Sequence, residues 1–187
     1  MVMTYTPSYE SAYLSGGGLN TALIQSTQAQ IDQVVAQIGV GETTYETVKQ
    51  FNAWLAGQVR YSYEFGNSHS YEITGPFLQK KSLCEGYAKA FKYLCDRAGI
   101  DCVMVSGKGI MNGVVYDHAW DYVKMDDGQW YLVDPTWNAL NVGAAKERWF
   151  LLGSGAVVNN MTLLTSHAPG RADYYPTLAV ENYTPAA

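Results

Sequence analysis

Three observations in the sequence predict an α+β fold. Apolar residues of the first half recur at helical spacing, those of the second half gather in short β-branched and aromatic runs, and turn chemistry separates those runs. Helices first and strands afterwards argue for an antiparallel meander and against a βαβ parallel sheet. The chain has 187 residues, 48% hydrophobic and 16% charged, which is enough apolar material for one globular core.

Residues 1–18 are polar, rich in Tyr, Ser and Thr, and end in Gly16-Gly17-Gly18, so they read as a flexible arm or linker. Residues 19–187 read as a single domain. A first helix carries Leu23, Ile24, Ile31, Val34, Val35 and Ile38 on one stripe and stops at Gly39. A second runs from about Thr44 to Arg60, with Val48, Phe51, Leu55 and Val59 facing inward. Tyr61 to Lys81 lacks periodicity and holds Gly66, Asn67, Gly75 and Pro76, so it is expected to be irregular. Ser82-Leu83-Cys84-Glu85 matches a capping box, with Ser82 as N-cap and Glu85 at the third helical position. The third helix then presents Cys84, Tyr87, Ala88, Phe91, Cys95 and Ala98 on one face and closes at Gly99. Beyond it we expect a strand from Ile100 to Ser106 and a glycine-rich turn from Gly107 to Gly113. Further strands are expected at Val114 to Met125, Gln129 to Asp134 and Arg148 to Leu152, then a loop-rich tail.

Several function classes drop out. The formal net charge of −5 leaves no basic footprint for nucleic acid. No apolar run is long enough to cross a bilayer, and no charged-then-apolar leader opens the chain. Gly107-Lys108-Gly109-Ile110-Met111-Asn112-Gly113 has the wrong spacing for a dinucleotide loop, and no Walker A, H-E-x-x-H or G-x-S-x-G occurs. Cys84, Cys95, Cys102 and His118 lack the paired short spacings of a zinc site, so neither metal nor other cofactor is expected. Three cysteines are too few for a disulfide scaffold. Cys84 and Cys95 lie roughly 16 Å apart along one helix, beyond disulfide reach. Cys95 with Cys102 stays open, beside the plainer reading of two small buried hydrophobes.

Cys84 is placed for chemistry. Predicted at the second position of the capped helix, it lies in the positive end of the macrodipole, which favours thiolate over thiol; Lys80 and Lys81 upstream would add to that field. Its own amide, left free by the cap, is positioned to stabilise an oxyanion. A thiolate nucleophile needs a base, and the base needs a third group to fix its tautomer. His118 lies in Tyr116-Asp117-His118-Ala119-Trp120 and Asp134 ends the next strand. Asp126-Asp127-Gly128 reads as a three-residue loop with Gly128 in the left-handed position. Met125 then faces Gln129, Asp134 faces Trp120, and His118 is the diagonal neighbour on the same side. A two-residue turn would put the pair on opposite faces. A core histidine or a strand-closing aspartate is the more ordinary reading of either residue alone. Together on one face, downstream of a primed cysteine, they favour chemistry, with Trp120 sheltering the imidazole.

The chain resembles the transglutaminase-like superfamily, which includes transglutaminases and microbial cysteine proteases. The resemblance rests on Cys84-Glu85-Gly86-Tyr87-Ala88-Lys89-Ala90-Phe91, Ala98-Gly99-Ile100, Asp117-His118-Ala119-Trp120 and Gln129-Trp130-Tyr131-Leu132-Val133-Asp134-Pro135-Thr136-Trp137. It covers roughly residues 44–152. It implies a papain-like peptidase type of fold, a catalytic helix packed on an antiparallel sheet, with Cys84 as nucleophile, His118 as base and Asp134 as the orienting acid. Gln79 stands before Cys84 at a spacing similar to a glutamine of papain-like enzymes, which makes it a candidate oxyanion donor, although an exposed loop residue is the plainer reading. Trp120 is the other candidate for the oxyanion and substrate region.

The expected function is cysteine-dependent acyl transfer on peptide or side-chain amides through a thioester, with hydrolysis favoured. The alternatives are a protein-glutamine transglutaminase and a non-catalytic peptide or cell-wall binding module. A calcium-dependent form is disfavoured, as no D-x-[DN]-x-[DN]-G loop occurs. The expected partner is a protein or peptide substrate. The polar arm suits an exported protein, so an extracellular or cell-surface setting is expected.

Overall fold

The computed structural model describes residues 14–15, 18–141 and 143–186. Most of the arm expected over residues 1–18 therefore lies outside the described residues. Leu14–Ser15 (β1) and Gly18–Leu19 (β2) pair as a short antiparallel ribbon. Helix α1 (Thr21–Ile38) opens on Asn20, whose side chain accepts from the Leu23 amide, and ends at Gly39 with φ of 71°. Helix α2 (Thr44–Gln58) opens on a reciprocal capping box between Thr43 and Glu46. The segment expected to be irregular holds β3 (Arg60–Tyr61) and β4 (Lys81–Ser82), paired in parallel, with a 3₁₀ turn at Ser68–Tyr71 and a π turn at Gly75–Gln79 between them. Helix α3 (Cys84–Arg97) follows. Ile31, Val48, Phe51 and Leu55 of the first two helices share one buried cluster with Phe91 and Leu94 of the third.

The remainder is β5 (Cys102–Met111), β6 (Val114–Lys124), β7 (Trp130–Val133), α4 (Pro135–Ala139), β8 (Phe150–Leu152), β9 (Val157–Val158), β10 (Met161–Thr162), α5 (Leu163–Ser166) and β11 (His167–Pro169). Five of these strands form one sheet in the order β11-β5-β6-β7-β8, with every neighbouring pair antiparallel. The fold is α+β. Side chains alternate across β6: Val123 joins the helix-side core, whereas Trp120 and Tyr122 join a second cluster with Trp137, Trp149 and Leu163.

The β6–β7 hairpin has the expected register, with Asp121 opposite Val133 and Lys124 opposite Trp130. Gly128 sits at φ of 78° and its amide donates to the Met125 carbonyl. Two expectations are corrected. The stretch Gly107–Gly113 is not a turn: β5 runs on to Met111, and the turn is Asn112-Gly113 alone, with φ of 53° and 78°. Its glycines answer to close approach. A Cβ on Gly107 would stand 2.1 Å from the Ala168 carbonyl oxygen, and one on Gly109 would stand 3.0 Å from the His118 Cβ. The tail, in turn, is not only loop, because β11 adds an edge strand with His167 opposite Gly109.

Candidate active site

Cys84 is the first residue of α3, half-buried in the lining of a cleft of about 730 Å³ that it shares with His118. The expected cap is not formed. Leu83 is the N-cap and makes no side-chain cap bond. Ser82 is drawn into β4, where its carbonyl accepts from the Ser62 amide and its hydroxyl lies within reach of the Ser70 and Leu83 carbonyls. Glu85 pairs with Lys89 at 2.9 Å instead of reaching back. Strand pairing has won over local capping, and Cys84 sits one position nearer the helix tip than the sequence predicts. The helix's first backbone bond runs from the Tyr87 amide to the Leu83 carbonyl, so the Cys84 amide has no partner within the helix. The two lysines upstream point to other tasks. Lys80 donates to the Phe77 carbonyl and lies 4.2 Å from the Trp54 ring centroid, and Lys81 pairs with Glu64. Gly86 lets α3 settle this close, since a Cβ there would stand 2.7 Å from the Ser70 carbonyl oxygen.

His118 and Asp134 meet. The imidazole Nε2 lies 2.7 Å from Asp134 Oδ2, and both side chains are buried. Asp134 ends β7 by capping α4: its Oδ1 accepts from the Trp137 amide at 2.9 Å, with Pro135 at the first helical position. One residue thus caps a helix with one oxygen and holds an imidazole with the other. Burial pulls the His118 pKa down, but the Asp134 charge and hydrogen bond, with the Cys84 side chain adding to the pull, raise it to about 9. Burial works to raise the Asp134 carboxyl, and the two neighbouring imidazoles overcome it, holding the group well below the usual carboxylate range. Trp137 stacks on His118 at 5.0 Å between ring centroids and 20° between planes. Trp120 is fully buried with its ring centroid 5.8 Å from that of His118. Trp120 therefore shelters the imidazole and does not reach the cleft.

Gln79 goes elsewhere. It closes the π turn, accepts from the Asn67 side chain at 3.2 Å and lines a separate cavity with Leu23 and Thr27. Lys80, left-handed at φ of 55°, reverses the chain between Gln79 and β4. Gln79 therefore does not line the cleft that holds Cys84 and His118.

One residue at the site escaped the sequence reading. His167, on the unexpected strand β11, places its Nε2 3.0 Å from the same Asp134 Oδ2 that holds His118. The hint available beforehand was only that the chain has 3 histidines. His118, Asp134 and His167 offer donor atoms all within 4.8 Å of one another, the spacing an ion would need. Both imidazoles, however, are aimed by hydrogen bonds at one carboxylate oxygen, an arrangement of N–H donors around an acceptor, and we assign no metal to it.

Residues 32–135 match the transglutaminase-like superfamily, a span that includes Cys84, His118 and Asp134. The chain belongs to that superfamily. Over 189 aligned residues and 90% of its length it is 26% identical to kyphoscoliosis peptidase of Mus musculus and, over the same share, 25% identical to that of Homo sapiens. It spans 28% of the length of each. Among solved structures, a TGase aligns over 68% of this chain and 35% of its own, with a TM-score of 0.53 and 17% identity. A candidate cysteine protease from Cytophaga hutchinsonii aligns over 59% of this chain and 37% of its own, with a TM-score of 0.50 and 19% identity. These structures share the transglutaminase-like fold. Among the described residues no helix is long and apolar enough to cross a membrane.

Proposed function

We propose that the protein is a cysteine-dependent hydrolase of peptide or side-chain amides. One observation carries the reading: Cys84 at a helix tip and His118 share a cleft, while the His118 Nε2 is tied to a buried carboxylate. That bond leaves Nδ1 as the nitrogen able to exchange a proton with the thiol. The Cys84 sulfur, having given its proton to His118, attacks the carbonyl carbon, and the charge that develops on oxygen meets the free Cys84 amide. The C–N bond breaks as His118 returns the proton to the departing amine, leaving a thioester. His118 then takes a proton from water, hydroxide adds to the thioester carbonyl, and the C–S bond breaks to release the carboxylic acid and restore the thiol. Asp134 stays ionised throughout and holds the ring. Water is favoured as second nucleophile because it needs no further binding surface.

Tyr61, Phe65 and Tyr71 form an aromatic wall of the cleft, which fits apolar side chains flanking the scissile bond. Tyr61 keeps its proton, since burial and the nearby Cys84 push its pKa up to about 12. The deciding experiment incubates the protein and its Cys84→Ala variant with a peptide library, with and without a labelled primary amine, and reads product masses. Cysteine-dependent gain of one water supports hydrolysis. Gain of the amine would make the chain a transglutaminase, and turnover surviving in Cys84→Ala would sink the proposal. Iodoacetamide labelling at slightly acid pH should likewise vanish in that variant.

A further inference from the structure

His167 is buried, with no exposed side-chain surface, and packed among Trp137, Trp149 and Trp120, with ring centroids 4.3, 4.9 and 5.1 Å away. Its two ring nitrogens are both engaged, one of them by the carboxylate that holds His118. Nε2 lies 3.0 Å from Asp134 Oδ2 and Nδ1 lies 3.0 Å from the Ser166 hydroxyl. We infer that His167 is a positioning residue that acts through Asp134, its neutral imidazole donating from Nε2 to the oxygen that holds His118 and so setting how tightly His118 keeps its proton. The inference rests on the catalytic reading of Cys84, His118 and Asp134 given above.

Counting protons fixes the tautomer. Ser166 Oγ is within reach of both the Leu163 carbonyl, at 2.9 Å, and His167 Nδ1, and its one proton can serve only one of them. If the hydroxyl served Leu163, Nδ1 would need a proton of its own. With Nε2–H kept toward Asp134, His167 would then be a second buried cation, its ring 5.8 Å from that of His118. With Nε2 bare, a lone pair would face a carboxylate at 3.0 Å. Neither is favourable. Burial foremost, and the charge of His118 with it, pull the His167 pKa down against the pull of Asp134, so the ring is neutral. The consistent arrangement is Ser166 donating to Nδ1 and Nε2–H donating to Asp134.

A neutral donor on Oδ2 drains negative charge from the atom His118 depends on. Removing it makes the potential at His118 more negative, and His118 holds its proton to higher pH. The other titratable groups facing this cluster are the Cys84 thiol on α3, Tyr61 on β3, and Tyr116 and Asp121 on β6. All are common to the variants compared, so the difference reports His167.

The test follows the ring C–H signals of the 3 histidines by NMR against pH in the full chain, with thermal melting alongside. The proteins are wild type, His167→Leu, His167→Gln and Ser166→Ala. In wild type the His118 midpoint is expected near 9. It should rise by about one pH unit in His167→Leu, the scale of one hydrogen bond to a charged group. It should stay at the wild-type value in His167→Gln, whose amide can still donate, and rise by a smaller amount in Ser166→Ala. An unmoved midpoint in His167→Leu with a lowered melting temperature would reduce His167 to core packing and overturn the inference. So would an equal rise in His167→Gln. Should His167→Leu fail to fold, an unmoved midpoint in Ser166→Ala overturns it as well. The readout needs no substrate, so a chain inert on every peptide would sink the proposed function without touching this result.

Discussion

Asp134 and Asp121 are both completely buried, one strand apart, and their carboxyls go opposite ways. Asp134 receives the Trp137 amide, His118 and His167, and its carboxyl is held far into the acid range. Asp121 has the Cys102 thiol at 3.8 Å on one oxygen and no partner on the other, and burial pushes its carboxyl well above the ordinary value. Burial does not decide whether a carboxylate is charged; the count of donors around it does. Three donors keep Asp134 as an anion able to orient an imidazole, whereas Asp121, beside a weak thiol donor and the buried cysteines of α3 and β5, is pushed by burial toward its neutral form.

The largest break in that contrast is expected from Asp134→Asn. The amide nitrogen can take the place of either oxygen. Facing the histidines, it turns N–H groups toward two Nε2 atoms that are themselves donors, and His118 must carry its proton on Nδ1, where it can no longer accept one from Cys84. Facing the Trp137 amide, it breaks the helix cap. Turnover of peptide substrate should fall by about 10³- to 10⁴-fold, as it does when a serine-protease triad loses its carboxylate charge. The His118 NMR midpoint should drop from about 9 to near or below its ordinary 6.5. A variant with full turnover would mean that Asp134 is only a helix cap.

A second test attacks the support of Asp134 from outside. Gly107 lies where β5 meets β11, and a Cβ there would run into the Ala168 backbone at 2.1 Å. Gly107→Ala should therefore push β11, and His167 with it, off the sheet edge. Melting should fall by the equivalent of about 2 kcal/mol, within the range for overpacking. The His118 midpoint should move in the same direction as in His167→Leu. The same substitution at the exposed Gly66, where a Cβ meets nothing, is the control and should leave both readings alone.

The contrast also marks what the sequence could reveal. The β6–β7 register was readable because Asp126-Asp127-Gly128 specifies a bulged loop and strand alternation then places every side chain. The stripes of α1, α2 and α3 were readable for the same reason, since periodicity is local. Ser82 misled because a buried strand pairing, invisible locally, outbid a good capping motif. Gly107 and Gly109 misled because close approach of a neighbouring backbone and a tight turn both call for glycine. Asp134 and His118 could be brought together on paper, being on adjacent strands. His167 could not, because its strand pairs across more than fifty residues with β5 and the tail around it carries no period.

The smallest effect is expected from Asp121→Asn, and its size depends on pH. The His118 pKa is raised from 6.5 to about 9, so its pairing stabilises fully below 6.5 and is lost between 6.5 and 9. Asp134 is lowered from 3.8, so its contribution is present above that value and fades as pH falls below it. Asp121 is raised from 3.8, so ionising it costs nothing in acid and costs stability increasingly as pH climbs past that point. Wild-type stability should therefore peak between about pH 4 and 6.5. In Asp121→Asn the acid side should be little changed, because one neutral group replaces another. At pH 8 the variant should be more stable by about 1 kcal/mol, the low end of the cost of an uncompensated buried polar group. Urea melts at about pH 3.5 and pH 8 measure both. Equal shifts at the two pH values would mean that Asp121 titrates alike in the folded and unfolded chain, and a loss at pH 8 would mean that its carboxylate is paired after all.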